Sequence, residues 1–144
     1  MTRTAVVRGT LLFVLGGFAA LQSGCGPLKY NVRSSALAPG ADAKVTADVK
    51  KRQGQTLLEV QATNLIPPNR VESSASQYVA WYRPNSGAQW NRIGTLEYDE
   101  DDRIGNLNGS VPEVAFDLQI SAEGAAPPSS PSPQILFSQR VQDE

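Results

Sequence analysis

The fold is decided by a short stretch of aromatic and apolar residues, Gln77-Tyr78-Val79-Ala80-Trp81-Tyr82-Arg83. Its apolar side chains fall on both faces of an extended chain, which is typical of a central strand that is covered on both sides. Because successive side chains of a strand point to opposite faces, Trp81 lies opposite to Tyr78 and Tyr82. β-Sandwiches often bury a tryptophan on a central strand, so we expect Trp81 in the core.

Upstream of this stretch, two runs of residues alternate strictly between apolar and polar side chains. They cover residues 45–49 and 58–62 and are separated by a glycine-containing turn at 51–55. This pattern predicts a β-hairpin that buries only one of its faces. Two adjacent prolines exclude residues 65–76 from a central strand, because proline cannot donate a ladder hydrogen bond, and they indicate a long crossover.

Downstream, a Pro-Asn-Ser-Gly turn at 84–87 leads into a returning strand at 90–96. Further strands are predicted at residues 104–111, 114–120 and 135–138, with a polar loop at 99–102 and a Pro/Ser-rich loop at 124–133. No sustained helical period interrupts this pattern. We therefore predict an all-β fold, a seven-stranded immunoglobulin-like antiparallel β-sandwich that follows a helical signal peptide.

The N-terminal segment has the composition of an export signal. Its first 24 residues carry only two charged side chains, Arg3 and Arg8, and an apolar run lies at 11–21. A basic start, a short apolar run and small residues before a cleavage point define a secretory signal peptide. The apolar run is too short for a bilayer, which needs about 20 apolar residues.

The end of this segment, Gln22-Ser23-Gly24-Cys25, resembles the lipobox of bacterial lipoproteins. In that family the cysteine thiol receives a diacylglyceryl group, and a peptidase then cuts just before the cysteine. The resemblance implies lipidation of Cys25, with Ser23 and Gly24 as the small residues and Leu21 as the apolar residue for peptidase recognition. The position three before the cysteine, usually apolar, holds glutamine here. Two alternatives are an ordinary secretory signal and an uncleaved membrane anchor.

The chain accordingly divides into four parts. These are a lipoprotein signal peptide at 1–24, a lipid-anchored tether at 25–41, a β-sandwich domain at 42–141 and a polar tail at 142–144. Prolines, glycines and serines without a sustained period indicate the tether. Alternation of Leu28, Tyr30 and Val32 favours a different interpretation of part of it, an additional edge strand.

Composition excludes several classes of function. The 144 residues contain no histidine and one cysteine, and the formal net charge is −1. Without histidine the chain lacks the commonest general base and the commonest ligand of transition metals. One cysteine cannot form an internal disulfide or a CxxC pair. The balanced overall charge gives no electrostatic basis for binding nucleic acid or an anionic membrane surface. We therefore expect no metal, no cofactor and no enzymatic activity.

The second half of the chain carries a set of motifs known from a bacterial module. They are Tyr78-Val79-Ala80-Trp81, Ile93-Gly94-Thr95-Leu96, Asp101 and Gly105, Phe116-Asp117-Leu118, Ser121-Ala122-Glu123, and a Pro-rich loop before Ile135-Leu136-Phe137-Ser138. Over residues 77–140 they resemble the C-terminal extracytoplasmic domain of anti-sigma-K-type factors. The resemblance implies a periplasmic sandwich used for sensing or protein contact. A lipobox stands in place of the sigma-binding segment and transmembrane helix of those factors, so sigma-factor binding is not implied.

Three surface features are candidates for contacts with other molecules. Trp90, which polar residues flank, is a candidate for surface contact with a ligand, or it packs at the sheet edge. The basic cluster Lys50-Lys51-Arg52 either touches lipid headgroups near the anchor or forms a solvated turn. The carboxylate cluster at 99–102 lacks the glycine and glutamate positions of a calcium-binding loop, which favours a solvated connection.

These observations predict a non-enzymatic lipoprotein that an N-terminal lipid on Cys25 holds in the bacterial cell envelope. Its sandwich would act as a protein-contact or accessory module, with another envelope protein as partner. Gly26, rather than aspartate, follows the cysteine, which by resemblance to enterobacterial sorting favours the outer membrane, facing the periplasm. The alternative is a module that binds a small ligand or a glycan through Trp90.

Overall fold

The computed structural model describes residues 26–126 and 128–144. Within these ranges the chain forms nine strands, one short α-helix and one 3₁₀ turn. The strands are β1 (Leu28–Arg33), β2 (Asp42–Lys50), β3 (Gln55–Thr63), β4 (Gln77–Arg83), β5 (Asn91–Thr95), β6 (Glu97–Asp99), β7 (Ile104–Val111), β8 (Phe116–Glu123) and β9 (Ile135–Val141). The 3₁₀ turn is Lys51–Gln53 and the helix is α1 (Pro68–Val71).

The prediction of an all-β fold is confirmed, but the prediction of seven strands is wrong, and the two additional strands are β1 and β6. The predicted strand at 90–96 is divided at Leu96, which is buried, and there the chain passes from one sheet to the other. The backbone N–H of Leu96 donates to the carbonyl oxygen of Tyr78 at 2.9 Å, which holds the crossing point against β4. Apolar and polar residues keep alternating through Leu96 and Tyr98, so the pattern contains no signal for the change of sheet.

Residues 28–41 belong to the folded unit. The sequence left two interpretations of residues 28–32, a tether and an edge strand. The structure has the edge strand, since β1 pairs antiparallel with β2 along its whole length. The turn that follows β1 buries Ala38 and Ala41. The segment that was predicted as a tether at 25–41 therefore contributes a strand and part of the core.

The strands form two antiparallel sheets. Sheet A has the order β1-β2-β3-β7-β6, and sheet B has the order β5-β4-β8-β9. The predicted hairpin is confirmed as β2 and β3, whose residues alternate between buried and exposed positions over most of their length. β4 lies inside sheet B between β5 and β8, as its apolar residues on both faces predict.

One hydrophobic core lies between the two sheets. Its buried members from sheet A are Val32, Ala43, Val45, Ala47, Leu58, Val60, Ala62 and Val111, and those from sheet B are Tyr78, Ala80, Phe116, Leu118, Ile120, Ala122, Leu136, Phe137 and Val141. The hydroxyl of Tyr78 donates to the carbonyl oxygen of Ile66 at 2.5 Å, which ties the crossover 65–76 to β4. Burial raises the pKa of Tyr78 far above its ordinary value. The neutral phenol is therefore the form that the core holds.

The two sheets also approach each other along both sides. On one side, the Tyr30 hydroxyl donates to the carbonyl oxygen of Gln142 at 3.3 Å, which links β1 to the residue after β9. On the other side, β5 lies so close to β7 that a Cβ atom on Gly109 would stand 2.9 Å from the Cγ2 atom of Ile93. Glycine inside a strand often marks such a close approach. Gly109 therefore marks a point on β7 where the two sheets come together.

Trp81 is buried, as predicted, but it is not part of the core between the sheets. Alternation places it on the outer face of sheet B, opposite Tyr78, where only 1% of its surface is exposed. Its indole N–H donates to the Ser121 hydroxyl oxygen at 2.9 Å, and that hydroxyl donates to the Glu123 carboxylate at 2.6 Å. The same carboxylate accepts the backbone N–H of Ser132 at 2.7 Å. This network ties the Pro/Ser-rich segment to β8.

The strand directions give the molecule two distinct ends. We call the end of the sandwich that holds Gly26 the near end, because the described chain starts there and β1 runs from it toward the opposite end. The near end holds the turns at 51–54, 84–90 and 112–115 and the tail at 142–144. The opposite or far end holds the turn 34–41, the crossover 64–76, the acidic loop 100–103 and the described part of the loop 124–134.

Replacing Ser121 with alanine should lower the free energy of unfolding by about 1–3 kcal/mol. The change leaves the Trp81 indole N–H and one oxygen of the buried Glu123 carboxylate without this hydrogen-bond partner. Ser138→Ala is the matched control, since Ser138 is an exposed serine on β9 of the same sheet, and its effect should stay within about 0.5 kcal/mol. Urea denaturation of both variants measures the difference, and equal effects would show that the network adds no stability.

Candidate functional site

The residues of the predicted lipidation site, Leu21, Ser23, Gly24 and Cys25, lie outside the described residues, as does the whole predicted signal peptide. The first residue that the structure describes is Gly26, directly after Cys25, and β1 begins two residues after Gly26, at Leu28. The structure therefore shows where the chain enters the fold. In the part of the chain that is described, no helix is long and apolar enough to cross a membrane.

Gly26 borders a cavity of about 450 Å³ at the near end. The walls include Leu28 and Val49, the basic turn, which we define as Lys50, Lys51 and Arg52, and the carboxylates of Asp48 and Asp143. The basic cluster noted in the sequence thus lies beside the point where the chain enters the fold. Sequence reasoning alone could not place it there, because the position depends on the pairing of β1 with β2.

Two of the three cations in the basic turn form ion pairs at the surface. The Lys50 ammonium lies 2.7 Å from a carboxylate oxygen of Asp48, and the Lys51 ammonium lies 2.6 Å from one of Asp143. All four side chains are more than a third exposed, so these pairs stabilise the fold little. Arg52 is exposed and forms no ion pair with any residue in the described ranges. The cavity wall therefore carries more cations than carboxylates.

Trp90 lies at the near end, immediately before the edge strand β5, and its side chain is half-buried. It packs at the sheet edge and keeps exposed surface, and its contact with a ligand stays a prediction. The guanidinium carbon of Arg83 lies 4.5 Å from the centroid of the indole ring. A cation over an indole face at this distance is attracted by the π-electrons of the ring. Arg83 therefore holds one face of Trp90.

Asp117 connects this pair to a second arginine. Its two carboxylate oxygens accept hydrogen bonds from Arg83 Nε at 3.0 Å and from Arg140 Nη1 at 3.2 Å. Arg140 Nη1 also donates to the carbonyl oxygen of Pro84 at 2.9 Å. We call Arg83, Trp90, Asp117 and Arg140 the Arg–Trp cluster. Two arginines that share one carboxylate leave the cluster with an excess of positive charge.

The Arg–Trp cluster borders a shallow depression of about 290 Å³ on the outer face of sheet B. Polar side chains of Gln119, Ser138 and Gln139 complete its rim. An indole ring beside hydrogen-bonding groups suits a flat polar or anionic ligand. Sequence reasoning found Trp90 and missed the other three members, since Asp117 lies 34 residues from Arg83 and 23 from Arg140. Only the pairing of β4, β8 and β9 brings them together.

The acidic cluster at 99–102 forms a local turn at the far end. The Asp99 carboxylate accepts the backbone N–H groups of Asp101 at 2.9 Å and of Asp102 at 3.1 Å. All four side chains are exposed, which confirms the prediction of a solvated connection. Within residues 26–126 and 128–144, no group of three or more acidic, cysteine or histidine side chains is placed to hold a metal ion.

Comparison with known proteins gives no match. No protein-family model, no curated protein and no solved structure matches this chain. The function is therefore argued from the residues and their arrangement.

Replacing Asp117 with asparagine should lower the free energy of unfolding by about 1 kcal/mol. The amide keeps the size of the side chain but removes the charge that Arg83 and Arg140 share, and only 26% of the Asp117 side chain is exposed to screening water. Asp101→Asn is the matched control, because Asp101 lies in the exposed turn at the far end. Thermal unfolding compares the two variants, and an equally small effect of both would mean that Asp117 does not hold the arginines.

Proposed function

We propose that the chain is a lipoprotein of the bacterial cell envelope that acts, without catalysis, as a protein-contact or accessory module. The observation that carries this proposal is the Ser23-Gly24-Cys25 ending of an export signal, at the one cysteine of the sequence. A diacylglyceryl group on that cysteine would anchor the protein, since each buried CH₂ contributes about 0.8 kcal/mol to membrane binding. By resemblance to enterobacterial sorting, the anchor is in the outer membrane and the domain faces the periplasm.

The position of the fold relative to Cys25 supports this proposal. Gly26 and Pro27 separate Cys25 from β1, so cleavage before the cysteine leaves every described strand in the mature chain. Gly26 and Pro27 are both at the surface, not in the core. The described chain thus begins at the surface, one residue after Cys25 in sequence.

We further propose that the two sheets have an immunoglobulin-like topology. In a constant-type immunoglobulin domain, seven strands named A to G form one sheet in the order A-B-E-D and a second in the order C-F-G. With β2 taken as strand A, the order β2-β3-β7-β6 corresponds to A-B-E-D, and β4-β8-β9 corresponds to C-F-G. β5 then takes the place of the C′ strand of variable-type domains, and β1 is an addition beside strand A.

The arrangement of the motif residues supports a contact role rather than a binding pocket built from the motifs. Trp81, Ser121 and Glu123 belong to the motifs that resemble the anti-sigma-K-type domain, and they form one buried hydrogen-bonded network. Their role in this chain is therefore to stabilise the module. A sandwich stabilised in this way presents its loops and edge strands to a partner, and we propose another envelope protein as that partner.

Replacing Cys25 with serine should abolish the lipid anchor, because a hydroxyl group cannot replace the thiol as acceptor of the diacylglyceryl group. We expect loss of labelling by radioactive palmitate and release of the protein into the soluble fraction. Ser23→Ala is the matched control, since alanine is also small, and this variant should stay labelled and membrane-bound. Unchanged membrane attachment of Cys25→Ser would refute the anchor.

A second candidate function, a module that binds a small ligand or a glycan, is favoured by the Arg–Trp cluster. One side of Trp90 is held by Arg83, and the cluster borders a depression of about 290 Å³ with amide and hydroxyl groups on its rim. Sugar rings pack their apolar C–H groups against the face of an indole ring and form hydrogen bonds with polar groups beside it. The ligand-binding site of this second function would lie on the outer face of sheet B.

Purification of the protein from detergent-solubilised envelopes separates the two functions. We expect a stoichiometric protein partner that co-purifies equally with the wild type and with Trp90→Ala. For the second function, a glycan array should show binding that is lost in Trp90→Ala and retained in Leu57→Ala, a matched change of an exposed apolar residue on sheet A. Glycan binding with this pattern and without a protein partner would overturn the contact role.

A further inference from the structure

We propose that the near end of the sandwich rests against the membrane and that its basic turn binds the phosphate groups of anionic phospholipids. This proposal rests on the lipidation of Cys25 and adds a fixed orientation to it. Three observations carry it: the short distance between Cys25 and β1, the distribution of charge between the two ends, and the cavity beside Gly26.

The distance from the anchor to the fold is short. Cys25 and Leu28 are three residues apart, so a fully extended chain separates their Cα atoms by at most about 11 Å. The headgroup region of one leaflet is itself about 5–8 Å deep. β1 cannot lengthen this connection without losing its pairing with β2, which begins at Leu28 opposite Ala47. An anchored domain therefore has its near end at the headgroups.

The charges are distributed along the same axis. The basic turn at 50–52 lies beside Gly26, whereas the four carboxylates at 99–102 lie at the far end. Asp48 and Asp143 offset Lys50 and Lys51 in part, but Arg52 is exposed and forms no ion pair with a described residue. An anionic bilayer attracts the basic turn and repels the four carboxylates at 99–102. Electrostatics and the anchor thus favour the same orientation.

The cavity of about 450 Å³ gives the lipid a place to bind. Gly26 is at its rim, Leu28 and Val49 provide apolar wall, and the basic turn provides donors. Lysine and arginine side chains bind phosphate oxygens, while their aliphatic stems and the apolar wall can cover the glycerol region. The occupant that we assign is the headgroup of an anionic phospholipid next to the anchor.

The orientation can be measured on the full, lipidated chain in vesicles. In the mature protein the Cys25 thiol is in a thioether, so Gln53→Cys at the near end and Asp101→Cys at the far end each provide one free thiol for a fluorophore. Both positions are exposed. With phosphatidylglycerol in phosphatidylcholine vesicles, a spin-labelled headgroup should quench the label at 53 several-fold more than the label at 101. Equal quenching of the two labels would overturn the proposal.

Charge reversal tests the basic turn. Arg52→Glu, introduced into the chain labelled at position 53, should lower the ratio of the membrane-contacting orientation to all others by about fivefold or more in anionic vesicles, because each basic residue near the surface contributes about that factor to the equilibrium constant. Arg33→Glu is the matched control, since Arg33 is an exposed arginine at the far end of β1. Neither change should matter in vesicles of phosphatidylcholine alone. No effect of Arg52→Glu in anionic vesicles would refute phosphate binding.

Co-sedimentation with vesicles separates a failure of this proposal from a failure of the anchor. If the wild-type chain does not sediment with vesicles of either composition, the lipid anchor is refuted and the orientation with it. If the chain sediments but its two labels are quenched equally, the anchor stands and the orientation is refuted.

Discussion

The rest of the structure depends on the burial of β4 on both of its faces. On the inner face, Tyr78 pairs with Ala122 of β8 in the core, and its hydroxyl holds the crossover through Ile66. Its ring centroid lies 5.7 Å from that of Tyr98, with the two rings nearly perpendicular. Outward, Trp81 begins the hydrogen-bonded network that reaches the Pro/Ser-rich segment. One strand thus fixes the core, the crossover and the covering of the outer face. Buried polar groups are tolerated on it because each finds a partner.

The sequence predicts those parts of the fold that local pattern determines. Alternation predicts the hairpin of β2 and β3, and the apolar run at 77–83 predicts a central strand, and both are confirmed. β6 was missed because the change of sheet at Leu96 leaves the alternation intact. The place of Trp81 was predicted only in part, since burial follows from its type but the covering of the outer face depends on contacts with distant residues.

The candidate sites also differ in how far each one can be predicted from local sequence pattern. The proposed lipidation residues can be predicted from sequence alone, because the peptidase of bacterial lipoproteins reads an extended segment. The Arg–Trp cluster is not recognisable, because three strands must pair before Arg83, Asp117 and Arg140 meet. The basic turn is visible in the sequence, but its position next to Gly26 follows from strand direction and register. Strand direction and register therefore place the start of the described chain, the basic turn and Trp90 together at the near end of the sandwich.

The position of β1 has a mechanical consequence for an anchored protein. A pull between the membrane and a partner bound at the far end would load β1 along its own axis, since the strand begins three residues after Cys25. The hydrogen bonds between β1 and β2 lie perpendicular to that axis, so the six paired residues share the force in shear and do not open one after another. The link of Tyr30 to Gln142 attaches the same strand to the second sheet. If the proposed lipid is attached to Cys25, the segment that the sequence predicts to be a tether is therefore the part of the fold that transmits tension to both sheets.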